Sequence, residues 1–109
     1  MKSFVANELA AKAELYEQRN AVYGDNYKRW GGMVYEIMRE VTLKTPDDFN
    51  RFGILVQLFS KMSRYAMNFS KGGHPDSLDD LSVYAMMLKE VDKEALERQT
   101  MANHDWPSK

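Results

Sequence analysis

No cysteine occurs anywhere in the sequence, which excludes a disulfide framework and any thiolate metal site and fits a reducing compartment. Histidine is nearly as scarce. His74 and His104 are the two, and neither has a second ligand three or four positions on, so zinc is not expected. No apolar run approaches the roughly 20 residues needed to span a bilayer, and the N-terminus lacks the charged-then-apolar layout of a signal peptide. Basic excess is missing too: a net charge of -1 argues against nucleic acid or an acidic membrane surface as partner. Proline occurs only at positions 46, 75 and 107, and neither repeats nor low-complexity segments interrupt the chain. Glycine-rich phosphate loops and hydrolase nucleophile elbows are also lacking. A single cytoplasmic domain spanning 1–109 is expected, in a host cytoplasm if the chain is phage-encoded.

What is present is helical. With 44% hydrophobic and 28% charged residues the balance is that of a globular domain, and at this length roughly two-thirds of the unfolded surface can be buried. The patterning predicts an all-α, four-helix bundle-like domain with short connections and helices over about 3–22, 26–41, 46–70 and 77–101, leaving 102–109 as a frayed tail. Ser3 caps the first helix and Gly24 ends it. At about 100° per residue this helix has apolar residues on two flanks, Val5, Leu9, Ala13, Tyr16 and Tyr23 on one and Phe4, Ala11, Leu15 and Val22 on the other, with Arg19 between them. Arg19 must snorkel to an edge or find a partner.

The second helix has a core stripe of Tyr27, Trp30, Met33, Val34, Ile37 and Val41, with Glu36 and Glu40 on its flank. Its Gly31-Gly32 pair implies close packing, a kink or a later start. Thr45-Pro46-Asp47-Asp48 then marks a helix start, with Thr as N-cap, Pro at the first helical position and acids facing the macrodipole. The helix it opens has a wide apolar arc from Phe52 to Phe69, expected of a central helix contacted from several sides. One polar stripe remains, Gln57, Lys61, Arg64, Asn68 and Lys71, either a solvent edge or the cationic lining of a cleft suited to phosphate or carboxylate.

The corner Lys71-Gly72-Gly73-His74-Pro75 stops that helix. Ser77-Leu78-Asp79-Asp80 has the form of a capping box opening the last helix, whose stretch from Leu78 to Leu88 is apolar nearly all round and is expected to be the most buried segment. Asp80 lies next to the apolar arc, one turn before Tyr84, and needs a partner: Arg19, Lys61, Arg64 or a cation. Carboxylates at Asp76, Asp79 and Asp80 are the best available ligands for a hard cation such as magnesium.

The residues Lys61-Met62-Ser63-Arg64, the glycine corner and Asp76-Ser77-Leu78-Asp79-Asp80-Leu81-Ser82-Val83-Tyr84-Ala85 resemble the central hairpin of the MazG-like all-α nucleotide pyrophosphohydrolases. The run Arg19 to Asp25 resembles the Arg-x-x-x-Tyr-Gly-Asp start of short phage and prophage members. The resemblance implies a homodimer or higher homo-oligomer that binds nucleoside triphosphates and cleaves them between the α and β phosphates, with magnesium held by acids on two adjacent helices. It places Asp80 at the last acid of the family's second motif, Glu-x-x-Asp, and Tyr84 in the aromatic position one turn on. Lys61 and Arg64 stand where the first motif, Glu-x-x-Glu, has its glutamates, and Ser77 stands where the second has its glutamate. The expectation is then Asp76 and Asp80 on the metal, Asp80, Lys61 and Arg64 in catalysis, and Arg19, Lys61, Arg64 and Tyr84 on the substrate. Two other readings stay open: a non-enzymatic phage protein that binds and modulates a host protein, and a structural homo-oligomer in which Arg19, Arg64 and Asp80 form only ion pairs.

Overall fold

The computed structural model describes residues 3–104, and all regular structure among them is helical. The spine is an antiparallel hairpin of two long helices, α3 (Pro46–Met67) and α4 (Pro75–His104). The start of α3 is set locally: the Thr45 hydroxyl accepts from Asp48 N–H at 3.2 Å, while the Asp48 carboxylate accepts from the backbone of Thr45 (3.2 Å) and Lys44 (2.9 Å). Thr45 as N-cap and Pro46 at N1 are as the sequence predicts; the return bond from Asp48 makes the start a full capping box, beyond the dipole role expected of that acid. Charged pairs then fix the register of the hairpin. Arg98 grips Asp47 through two bonds of 2.6 and 2.9 Å, and Arg51 bonds Asp92 at 2.6 Å, so the charged half of α4 lies along the first half of α3.

The far end of α3 stops at Met67, short of the expected residue 70. The buried Asn68 side chain donates to the carbonyl of Arg64 at 2.9 Å, diverting an acceptor from the helical ladder, and a 3₁₀ turn at Phe69–Lys71 follows. Gly72 and Gly73 then turn the chain at φ of 102° and 101°, a region that favours glycine. At Gly73 a Cβ would meet the Tyr65 ring at 3.4 Å. Helix α4 begins at Pro75 rather than at 77, because His74 caps it: Ser77 N–H donates to His74 Nδ1 at 3.3 Å and the Ser77 hydroxyl lies 2.6 Å from the same nitrogen. Ser77 is therefore the third residue of the helix and not its cap. The C-terminal helix continues through 102–104, which corrects the expected stop at 101; the rest of the expected tail, 105–109, lies outside the described residues.

Helix α1 (Phe4–Tyr23) is capped by the Ser3 hydroxyl on Ala6 N–H at 3.2 Å and ends at Gly24, whose φ is 58°. The predicted second helix is divided into a 3₁₀ turn at Asn26–Lys28 and a short α2 (Trp30–Met38). Nothing lies within 4 Å of a Cβ built on Gly31 or Gly32, so the glycine pair reflects a later start and not close packing. After Met38 the chain leaves the helix through Arg39 at φ 60°. The β-branched Val41, Thr42 and Thr45 and the restriction that Pro46 places on Thr45 keep 41–45 out of a helix. Glu36 pairs with Arg39 at 2.9 Å.

Helix α3 is central, as its wide apolar arc implies, and touches α4, α2, the 26–28 turn and α1. The helices of the chain, however, do not close into a compact bundle among the described residues. Phe59, 6% exposed, is the buried hydrophobic residue among the described ones, and Leu78, Val83, Met86 and Met87 are exposed, the reverse of what the apolar run in α4 predicts. Only the face of α4 toward α3 is covered. The radius of gyration is 19.5 Å, against about 13 Å for a compact chain of this length. No helix among the described residues is long and apolar enough to cross a membrane.

Candidate functional site: a cationic, tyrosine-lined cleft

Lys61 and Arg64 lie three positions apart on α3, so they leave the helix about 60° apart and reach different neighbours. Lys61 turns toward α4. Its ammonium is 3.3 Å from Asp80 Oδ2 and 5.9 Å from the centre of the Tyr84 ring. With its side chain only 14% exposed, Lys61 requires that anion and that ring as replacements for water. Lys61, Asp80 and Tyr84, all named from the sequence, therefore form one group, and it satisfies itself.

Arg64 turns toward α1. The guanidinium carbon stacks 3.9 Å from the centre of the Tyr23 ring, and the other side of this contact is supported by His74, whose ring meets Tyr23 edge-on at 5.6 Å between centres. Ser77 N–H donating to His74 Nδ1 leaves the ring proton on Nε2. Ser77 itself is fully buried. The chain Arg64–Tyr23–His74–Ser77 thus joins the ends of α1, α3 and α4.

Above Arg64 opens a cleft of about 650 Å³ between α1, the 26–28 turn and α3. Lys12, Arg19 and Arg64 supply its charge, Tyr16, Tyr23 and Tyr27 its rings, and no carboxylate lines it. Arg19 is exposed to the cleft and makes no ion pair among the described residues, so of the two fates open to it the structure shows the solvent-facing one. On the floor Asn26 donates to the Ser60 hydroxyl at 3.2 Å. Asn26 Oδ1 and Arg64 Nε are buried without a hydrogen-bond partner, two polar atoms held at a cost of about 1–3 kcal/mol each. At the rim the hydroxyls of Tyr16 and Tyr27 share a 3.1 Å bond. That bond, followed by desolvation, pushes the Tyr16 phenol up to about 12.

The structure thus brings Arg19 and Arg64 together and separates them from Lys61, Asp80 and Tyr84. Asp76 sits in the first turn of α4, exposed. Among the described residues no three histidine or acidic side chains form a cluster, and the one carboxylate of the predicted metal pair that faces the hairpin interior already holds an ammonium. A magnesium ion at Asp80 would have to displace the Lys61 ammonium. Sequence reasoning missed Lys12, Asn26 and Ser60 as cleft residues and placed Tyr16, Tyr23 and Tyr27 in core stripes. A signal existed in the tyrosines: two fall on one flank of α1, and the third follows the Gly24 stop.

Comparison with protein-family models, with curated proteins and with solved structures found none that matches this chain.

Proposed function

We propose that the chain binds a nucleoside triphosphate or a related nucleotide in the Arg64 cleft and works as a homo-oligomer. One observation carries this reading: three cations and three tyrosines line a single cleft that contains no carboxylate. Arg64, held flat on Tyr23, presents a pre-oriented fork for a phosphate, and Arg19 and Lys12 add charge for its neighbours. Tyr16 and Tyr27 offer ring faces and hydroxyls to a base. The MazG-like motifs support the same ligand class. They also support turnover to a nucleoside monophosphate and pyrophosphate with magnesium, but the pairing of Lys61 with Asp80 favours binding over hydrolysis.

Titration calorimetry with each canonical triphosphate, with and without magnesium, and an assay for released pyrophosphate test this. Binding is expected, and Arg64→Ala should weaken it at least tenfold, the size of one charge-assisted contact of about 1.5–3 kcal/mol. Absence of heat and of thermal shift with every nucleotide sinks the reading. The exposed apolar residues Tyr35, Ile37 and Val41 support the alternative, a phage protein that engages a host protein; a stoichiometric complex formed by nucleotide-free protein would favour it.

A further inference from the structure

We infer that a second copy of this chain covers the outer face of α4, and that the covering element is the projecting N-terminal half of α1. The inference rests on the homo-oligomeric reading above and adds its arrangement. The protomer extends 69 Å along its longest axis, whereas α4, the longest helix at 30 residues, accounts for about 45 Å. Helix α1 lies against α3, and the cleft it lines begins at Lys12. Beyond that point Phe4 and Leu9 are 77% and 64% exposed. A solvated arm would have one apolar flank at most. This one has two, as a helix does when it is contacted from more than one side.

The area is of the right size. A compact monomer of 12.7 kDa exposes about 6,200 Å², and this chain exposes 8544 Å². The excess, roughly 2,300 Å², matches what one protomer loses in an obligate homodimer, half of about 2,000–5,000 Å². A transient partner covers far less. The receiving face is equally specific. On α4, Val83 and Met86 point away from the Asp80–Tyr84–Leu88 side that packs on α3, Met87 flanks them, and together with Ser82 and Glu90 they form a shallow concave surface. Methionines there can adjust to an incoming helix. Two unlike patches on each protomer, docked reciprocally about a two-fold axis, make two equal contacts and close the assembly.

The chain has no cysteine, so introduced thiols report only on the positions chosen. Full-length Leu9→Cys and Met86→Cys proteins are prepared separately, mixed, and treated with a short bismaleimide linker, while light scattering gives the mass of the wild type. The expected results are a mass of twice 12.7 kDa and a mixed cross-linked dimer far more abundant in the mixture than either self-linked product alone. Met86→Glu, placed on an exposed surface, should weaken dimerisation at least tenfold with an unchanged circular dichroism spectrum. A dimer without the mixed cross-link, or one indifferent to Met86→Glu, overturns the arrangement and leaves the oligomeric reading standing. A monomer overturns both and leaves the face to another protein.

Discussion

If Asp80 is committed to Lys61, the two must be energetically coupled, and a double-mutant cycle of Lys61→Met, Asp80→Asn and the double variant measures that coupling. At 3.3 Å and an effective dielectric of about 20, the gross attraction is about 5 kcal/mol. Most of this is lost to solvent because the Asp80 side chain is 44% exposed, and fully exposed pairs retain only about 0.2–1 kcal/mol. Lys61 is the more enclosed partner, so the coupling should fall between those limits, at about 1–2 kcal/mol. Asp80→Asn alone leaves the ammonium with a neutral amide oxygen and the Tyr84 ring in place of an anion and is expected to cost about 1–2 kcal/mol. Lys61→Met keeps the apolar stem and should cost less. The assay is urea unfolding at one fixed protein concentration, since the proposed association would contribute to apparent stability. A coupling below about 0.3 kcal/mol would refute the reasoning. So would a stabilisation of the wild type by magnesium alone that disappears in Asp80→Asn, because the carboxylate would then be serving a metal.

Two further outcomes follow from local geometry. His74→Ala removes both the cap of α4 and the edge that supports Tyr23, so urea unfolding should show a loss of about 1–2 kcal/mol; His74→Asn should recover the capping part but not the ring contact. Asp48 and Asp47 are both held below the usual carboxylate value near 3.9, Asp48 chiefly by the Lys44 N–H and Asp47 chiefly by the Arg98 hydrogen bond. A depressed folded-state value means their stabilisation is complete above about pH 4 and is lost as pH falls through that lower value, so unfolding curves recorded down to pH 2 should weaken over that window, and less so in Asp48→Asn.

The sequence made some parts of the molecule legible because their causes are local. Ser3, Thr45, Pro46 and the Gly72-Gly73 corner each act within four residues, and each does in the structure what its spacing predicts. The second helix failed for a related reason: Gly31-Gly32 left the start open, and the β-branched residues before Pro46 outweighed a helical apolar period that continues formally to Val41. Burial in α4 was misread because an apolar run states that a surface must be covered but not which molecule covers it. The site was half legible. Lys61 with Asp80 and Tyr84 could be anticipated from spacing across a hairpin, whereas the cleft depends on how α1 leans against α3, a long-range angle that residue spacing does not encode.

On the proposed MazG-like reading, Lys61 and Arg64 stand where carboxylates would hold a metal, and the two cations do different things. A carboxylate pair recruits a polyphosphate through a bridging cation, so it must remain unneutralised by protein until metal arrives. Lys61 pairs with Asp80 within the fold at 3.3 Å, so that carboxylate is answered by the chain's own cation. Arg64 lies over the Tyr23 ring and lines the cleft together with Arg19 and Lys12, apart from Asp80. On the proposed reading, guanidinium and ammonium groups contact the phosphates directly, with no metal bridge. Binding by these residues should therefore survive a chelator but fall steeply with salt, since three cations at an open cleft are screened over about 8–10 Å at physiological ionic strength. A metal-bridged site would respond in the opposite order, losing its ligand to the chelator first.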